Sequence, residues 1–172
     1  MAPPGYNEAD TRAKLIDPAL RARDWLEIVP EDKRGTHGEI HREQSAVRVD
    51  IIDGKPVKSG RGRVDYLLRM YAPPHSHPLT LAFIEAKKEK LPPTKGLEQV
   101  KAYARRYSVK FVYSTNGHLF VEYDAATGLT TEPRPLADFP TPAALLGRYA
   151  KALEIDLGAA SSLPLVTPYS QA

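Results

Sequence analysis

Polar and apolar positions change their period several times along the chain, and each change predicts an element. Asn7 is a good helix cap, and Ala9, Ala13, Leu15 and Ile16 keep to one helical face for about two turns. Pro18 suits the first turn of a second short helix, ending near Trp25. The period then falls to two. GEIHREQ (38–44) and AVRVDIID (46–53) alternate as half-exposed strands, and Asp53-Gly54 marks a turn. GRVDYLLRMY (62–71) reads as the next strand and PPHSHP (73–78) as a loop. LTLAFIEAKK (79–88) begins almost wholly apolar, the pattern of a central strand covered on both faces. KGLEQVKAYARRY (95–107) returns to the helical period, with Leu97, Val100, Ala104 and Tyr107 along one stripe. VKFVYST (109–115) and HLFVEYD (118–124) read as two strands about the Asn116-Gly117 turn. TPAALLGRYAKAL (141–153) is a last amphipathic helix, with Thr141 as cap and Pro142 in its first position.

The order helix, strands, helix, strand, strand, helix predicts an α/β (α+β) fold, a mixed central sheet flanked by helices. Residues 1–6 read as a flexible N-terminus, 7–154 as the folded domain and 155–172 as an exposed tail or linker. A length of 172 residues suits a single domain. The absence of cysteine excludes a disulfide framework and a cysteine-ligated zinc site. The polar N-terminus does not resemble a signal peptide, and no apolar run approaches the roughly 20 residues of a membrane span. These features predict a soluble, cytoplasmic protein. Net charge is only +3, but positive charge gathers in GKPVKSGRGR (54–63) and between Lys87 and Lys110. Such patches suit a polyanion, although ordinary solvated faces would also account for them.

Candidate chemistry begins where the apolar run at 79–84 meets Glu85-Ala86-Lys87. Residues i and i+2 of a strand share a face, so Glu85 and Lys87 emerge side by side. Glu31-Asp32-Lys33 and Asp53-Gly54-Lys55 have the same spacing but lie in a loop and a turn. Asp65 is embedded in the apolar strand GRVDYLLRMY, where an acid is unfavourable unless paired, hydrogen-bonded or bound to metal. If the two strands are neighbours, Asp65 and Glu85 lie across from each other. Two such carboxylates repel unless a cation or a proton intervenes. Oxygen-only ligation would suit Mg²⁺ or Mn²⁺, and a salt-bridged Asp65 at a sheet edge is the alternative. Gln99 and Tyr103, spaced i and i+4, stack on one face of the following helix. Glu8 is an acid in the first turn of the first helix, where it also complements the helix dipole.

The ordered set NEADTRAKLIDPAL, GRVDYLL, AFIEAKKE, GLEQVKAYA and STNGHLFVEYD resembles the N-terminal nuclease domain of the R (restriction) subunit of type I restriction enzymes. That domain belongs to the PD-(D/E)xK nuclease superfamily, and the resemblance runs from about Asn7 to Leu153. It implies a restriction-endonuclease-like core with Asp65 and Glu85 as metal-binding acids, helped by the backbone carbonyl of Ala86, and Lys87 as the catalytic lysine. Gln99 and Tyr103 match a Gln-x-x-x-Tyr motif shared with RecB-type nucleases, and Glu8 matches a first-helix acid that helps hold metal or water. Val64 stands where the superfamily name has proline.

The resemblance further implies Mg²⁺-dependent cleavage of double-stranded DNA, with Mn²⁺ as a substitute and little base preference. It implies specificity and methylation subunits as partners, and ATP acting only through a helicase-like motor absent from this chain. The chain stops about where that motor would begin, so it is expected to be a fragment or a short protein acting with other chains. Lys58, Arg61, Arg63, Lys88 and Lys95 are candidates for phosphate contacts. A free-standing repair nuclease and a non-catalytic DNA-binding or docking module remain as alternatives. His75 and His77 lie in a proline-rich loop with no third ligand evident and read as loop residues.

Overall fold

The computed structural model describes residues 5–53, 55–71 and 77–160, with side chains at 43–52, 55–63 and 155–160 outside the description. Asn7 caps the first helix as expected, its Oδ1 accepting the Asp10 N–H at 2.8 Å. Helix α1 (Glu8–Thr11) passes into one π-helical turn (Arg12–Ile16) and then into α2 (Asp17–Arg21). One continuous helical segment therefore replaces the two separate helices expected. In the π-turn the Asp17 N–H reaches back to the Arg12 carbonyl, five residues away.

The helix ends at Arg21, short of the expected end near Trp25. Asp24 turns the chain through the left-handed region, at φ +68°, into β1 (Trp25–Leu26). Trp25 is fully buried, and its Nε1 donates to the Pro140 carbonyl at 2.9 Å. A satisfied indole in the core outweighs local helix preference here. Strand β2 (Gly38–Ile52) is one strand where two were expected. No glycine or proline lies between Gly38 and Gly54, so the chain has no turn chemistry near Ser45. The irregularity is absorbed as a register shift between Ala46 and Arg48. Its partner β3 (Lys55–Met70) begins well before residue 62, the expected start.

The next elements fall close to expectation: β4 (Leu79–Ala86), α3 (Leu97–Tyr107), β5 (Phe111–Thr115) and β6 (Leu119–Asp124). Two short strands that the sequence did not suggest, β7 (Leu129–Thr130) and β8 (Arg134–Pro135), both pair with β6. Helix α4 (Pro142–Ala160) continues past Leu153 into the stretch read as tail. The strands form one mixed sheet in the order β1-β2-β3-β4-β5-β6-β7. The β1–β2 and β4–β5 pairs are parallel, and α3 makes the crossover between the second pair.

The sheet buries both faces. Tyr66, Leu68, Ile84, Tyr113 and Phe120 join Ile16 and Leu20 of the first helical segment and Leu145 of α4. On the other face, Phe83, Val112 and Val121 meet Leu97, Val100 and Ala104 of α3. The Asn116-Gly117 turn rests on the first helical segment. Gly117 has φ +93°, and a Cβ there would approach Leu15 Cδ1 to 2.8 Å and Thr11 Cγ2 to 2.9 Å.

Gly38 opens β2 directly beneath the indole of its register partner Trp25. A Cβ at Gly38 would lie 2.2 Å from Trp25 Cζ3 and 3.0 Å from Pro142 Cγ. Gly38→Ala is therefore expected to destabilise the fold by about 3 kcal/mol through overpacking. Urea unfolding would show this as a lower midpoint at unchanged slope.

Candidate active site

Strands β3 and β4 are antiparallel, with Tyr66 opposite Ile84. The paired register ends there, and Asp65 and Glu85 are the next residues along β3 and β4. Ile84 and Ala86 belong to the first core, so by alternation Glu85 points to the α3 side, with Asp65 next to it on β3. Both are buried, at 6% and 4% exposure. The Ala86 N–H donates to Asp65 Oδ2 at 2.8 Å, fixing one acid with the backbone beside the other. Arg12 Nη1 reaches Asp65 Oδ1 at 3.3 Å from the start of the π-turn. Lys87 Nζ lies 3.7 Å from Glu85 Oε1, two residues on and on the same face, as the strand period predicts. Glu85 Oε2 is buried with no hydrogen-bond partner.

Gly96, at the cap position of α3, closes the site from above. A Cβ there would come within 2.7 Å of Glu85 Cγ and 2.9 Å of Lys87 Cε. Its N–H donates to Ser114 Oγ at 3.0 Å, and Ser114 is the β5 register partner of Glu85. Burial, then the neighbouring charge of Asp65, pushes the Glu85 carboxyl up to about 8 from its ordinary value of 4.5. Lys87 pulls the other way and is outweighed; Glu8 adds a smaller upward push from α1.

Two buried acids with an orphaned oxygen fit a divalent cation. Mg²⁺ is commonly held through one or two carboxylates and keeps several waters. Among the described residues no three His, Cys, Asp or Glu side chains converge on one point, so Glu8 reaches the pair by charge. Gln99 and Tyr103 hydrogen-bond each other, Gln99 Nε2 to Tyr103 Oη at 3.4 Å. They lie three and seven positions beyond Gly96, on one face of α3. Lys88 and Lys95 are exposed in the segment between β4 and α3. Lys58, Arg61 and Arg63 sit on the backbone of β3, but their side chains lie outside the described ones. His77 is exposed, and His75 lies outside the described residues.

Three members of the site escaped the sequence reading. Arg12 had a signal, since it is four residues from Glu8 on a helix and shares its face. Ser114 is a polar residue at the end of an apolar strand. Gly96 carried no local sign of its role, because its neighbours come from β4 and β5.

No protein-family model matches the chain. A curated relative, the type I restriction enzyme EcoAI endonuclease subunit of Escherichia coli, is 32% identical over 150 residues. The match takes in 83% of this chain and 16% of that protein. Among solved structures, a fragment assigned as an HsdR subunit of a type I restriction enzyme from Vibrio vulnificus YJ016 superposes with a TM-score of 0.63. It is 33% identical, over 86% of this chain and 26% of that one. The chain thus spans about a sixth of the curated relative it matches. Among the described residues no helix is long and apolar enough to cross a membrane.

The raised Glu85 carboxyl has a signed consequence. Between about pH 4.5 and pH 8 the folded protein retains a proton that the unfolded chain releases. Stability contributed by protonated Glu85 is complete below that window and is lost as pH rises through it. In metal-free buffer the melting temperature should fall across this window. Glu85→Gln should flatten the profile and melt above wild type beyond pH 8. An unchanged slope in the variant would assign it to another group.

Proposed function

We propose, from the premise that most of this chain is homologous to part of the endonuclease subunit of type I restriction enzymes, that it is a Mg²⁺-dependent DNA endonuclease domain. The observation that carries the reading is the buried, unpartnered Glu85 Oε2 beside Asp65. A carboxylate pair in this position is repulsive alone and stable around a cation. Asp65, Glu85 and the carbonyl oxygen of Ala86 would hold Mg²⁺ or Mn²⁺, and an all-oxygen set favours these over zinc.

When bound, such a cation polarises the phosphoryl group and lowers the pKa of a water molecule. The remaining work falls to the chain. The Ala86 N–H holds Asp65 in place. The Lys87 ammonium, beside Glu85, stabilises negative charge that develops on the phosphate and the attacking water. Glu8 deepens the negative potential that attracts a cation. Gln99 and Tyr103 would position Lys87, Glu8 or the DNA backbone. In the reaction the water gives up a proton as its oxygen bonds to phosphorus, the bridging P–O bond breaks, and the departing strand end takes up a proton.

Lys58, Arg61, Arg63, Lys88 and Lys95 would contact phosphates, which positions a duplex without reading its sequence. Base recognition then belongs to a separate specificity subunit, with a methylation subunit and an ATP-driven, helicase-like motor as further partners, all in the cytoplasm.

Two variants test the mechanism by Mn²⁺ calorimetry and plasmid cleavage in parallel, with folding followed by circular dichroism. Asp65→Ala should remain folded and bind no Mn²⁺. Lys87→Ala should bind Mn²⁺ as wild type does while cleavage drops at least about 100-fold, the scale of one lost charge-stabilising donor. Full cleavage by Lys87→Ala would remove this mechanism. A folded wild type that binds no Mn²⁺, even with DNA present, would instead be a docking module.

A further inference from the structure

The two oxygens of Asp65 are held unequally. Oδ2 accepts the Ala86 N–H at 2.8 Å, from a backbone donor that cannot leave without disturbing β4. Oδ1 faces Arg12 Nη1 at 3.3 Å. That contact is longer than the roughly 2.7–2.9 Å usual for a charge-assisted N–H···O⁻ bond. Glu85 Oε2, on the neighbouring strand, has no hydrogen-bond partner. Asp65 Oδ1 is thus held by a side-chain donor, whereas buried Glu85 Oε2 is held by none.

We propose that Arg12 is a positioning residue of the cation site, a resident counter-ion that holds Asp65 Oδ1 in the metal-free protein and yields it when a divalent cation enters. The inference rests on the metal-binding reading of the acid pair given above. A guanidinium keeps its charge at any ordinary pH, so it cannot be silenced by losing a proton. A divalent ion on Oδ1 would face a like charge at close range, and the arginine must withdraw for the ion to settle.

The helix geometry makes such a contact specific. The π-turn stacks Arg12 over Asp17, and these two residues reach successive positions of β3. Asp17 Oδ1 accepts the Tyr66 hydroxyl at 2.6 Å, which anchors the helix, while Arg12 reaches Asp65. Single π-turns within helices are frequent at functional sites. The Arg12 side chain also retains 17% exposure against 8% for Asp65, so it has a way out toward solvent.

The test is Mn²⁺ calorimetry near neutral pH on wild type and Arg12→Gln, with urea unfolding in chelator and in saturating Mn²⁺. Arg12→Gln should bind Mn²⁺ about tenfold more tightly, equivalent to about 1.4 kcal/mol of competition removed. In chelator it should be less stable than wild type, and saturating Mn²⁺ should close that gap. Arg12→Lys should shift affinity the same way by less, and it replaces the glutamine variant should that fail to fold. Wild type that binds Mn²⁺ with the variant binding equally or more weakly would overturn the exchange and leave the acid pair as a cation site. Absence of binding in both proteins would overturn the exchange together with the cation site itself.

Discussion

The site depends on the register between β3 and β4. Each strand carries one acid, and the two meet only because Tyr66 pairs with Ile84. A slip of one residue would turn one acid toward the aromatic core on the opposite face. The slip is opposed by both layers at once. Tyr66, Leu68 and Ile84 fill the face under the first helical segment and α4, and Phe83 fills the face under α3. The register is thus held by apolar burial, and the chemistry inherits its geometry from packing.

Three buried acids with different surroundings show what is particular about Glu85. Asp17 accepts the Tyr66 hydroxyl and is paired with Arg42 at 2.8 Å. Glu122 accepts the Tyr113 hydroxyl and both nitrogens of the Arg148 fork; burial pushes its carboxyl up, but these bonds outweigh it and the net shift is downward. These two acids tie helices to the sheet and are well supplied with donors. Glu85 has an ammonium at 3.7 Å and one oxygen with no donor, and its carboxyl moves upward. Two acids serve the fold, and the third is left short of positive charge in a way that costs stability.

What could be read in advance followed from local rules. The apolar run ending in Glu85-Ala86-Lys87 announced a central strand with a polar end, and the isolated Asp65 announced an acid needing a partner. The helical spacing of Gln99 and Tyr103 was equally plain, but spacing could not say that they would bond to each other. Contacts across long stretches of chain were hidden. Arg12 and Asp65 are 53 residues apart, and no composition or period connects them. The π-turn was hidden too, because RAKLI contains no residue that breaks a helix. Trp25 was assigned by its helical neighbours, although the energy that places it comes from a core assembled by distant residues. Strands β7 and β8, of two residues each, are too short to develop a period.

Ala86 serves the core and the site at once. Its methyl group belongs to the first core, and its N–H, in the plane of the sheet, is taken by Asp65 of the neighbouring strand. The side chain is therefore limited in volume by packing, while the backbone group is indifferent to side-chain identity and excludes only proline. Such a position can drift among small residues over evolutionary time without altering the chemistry. Its neighbours Glu85 and Lys87 have no comparable latitude, since their function resides in the side chains themselves. Across Glu85, Ala86 and Lys87, substitution should therefore alternate between constraint and freedom, which records the pleat of the strand in the history of the sequence.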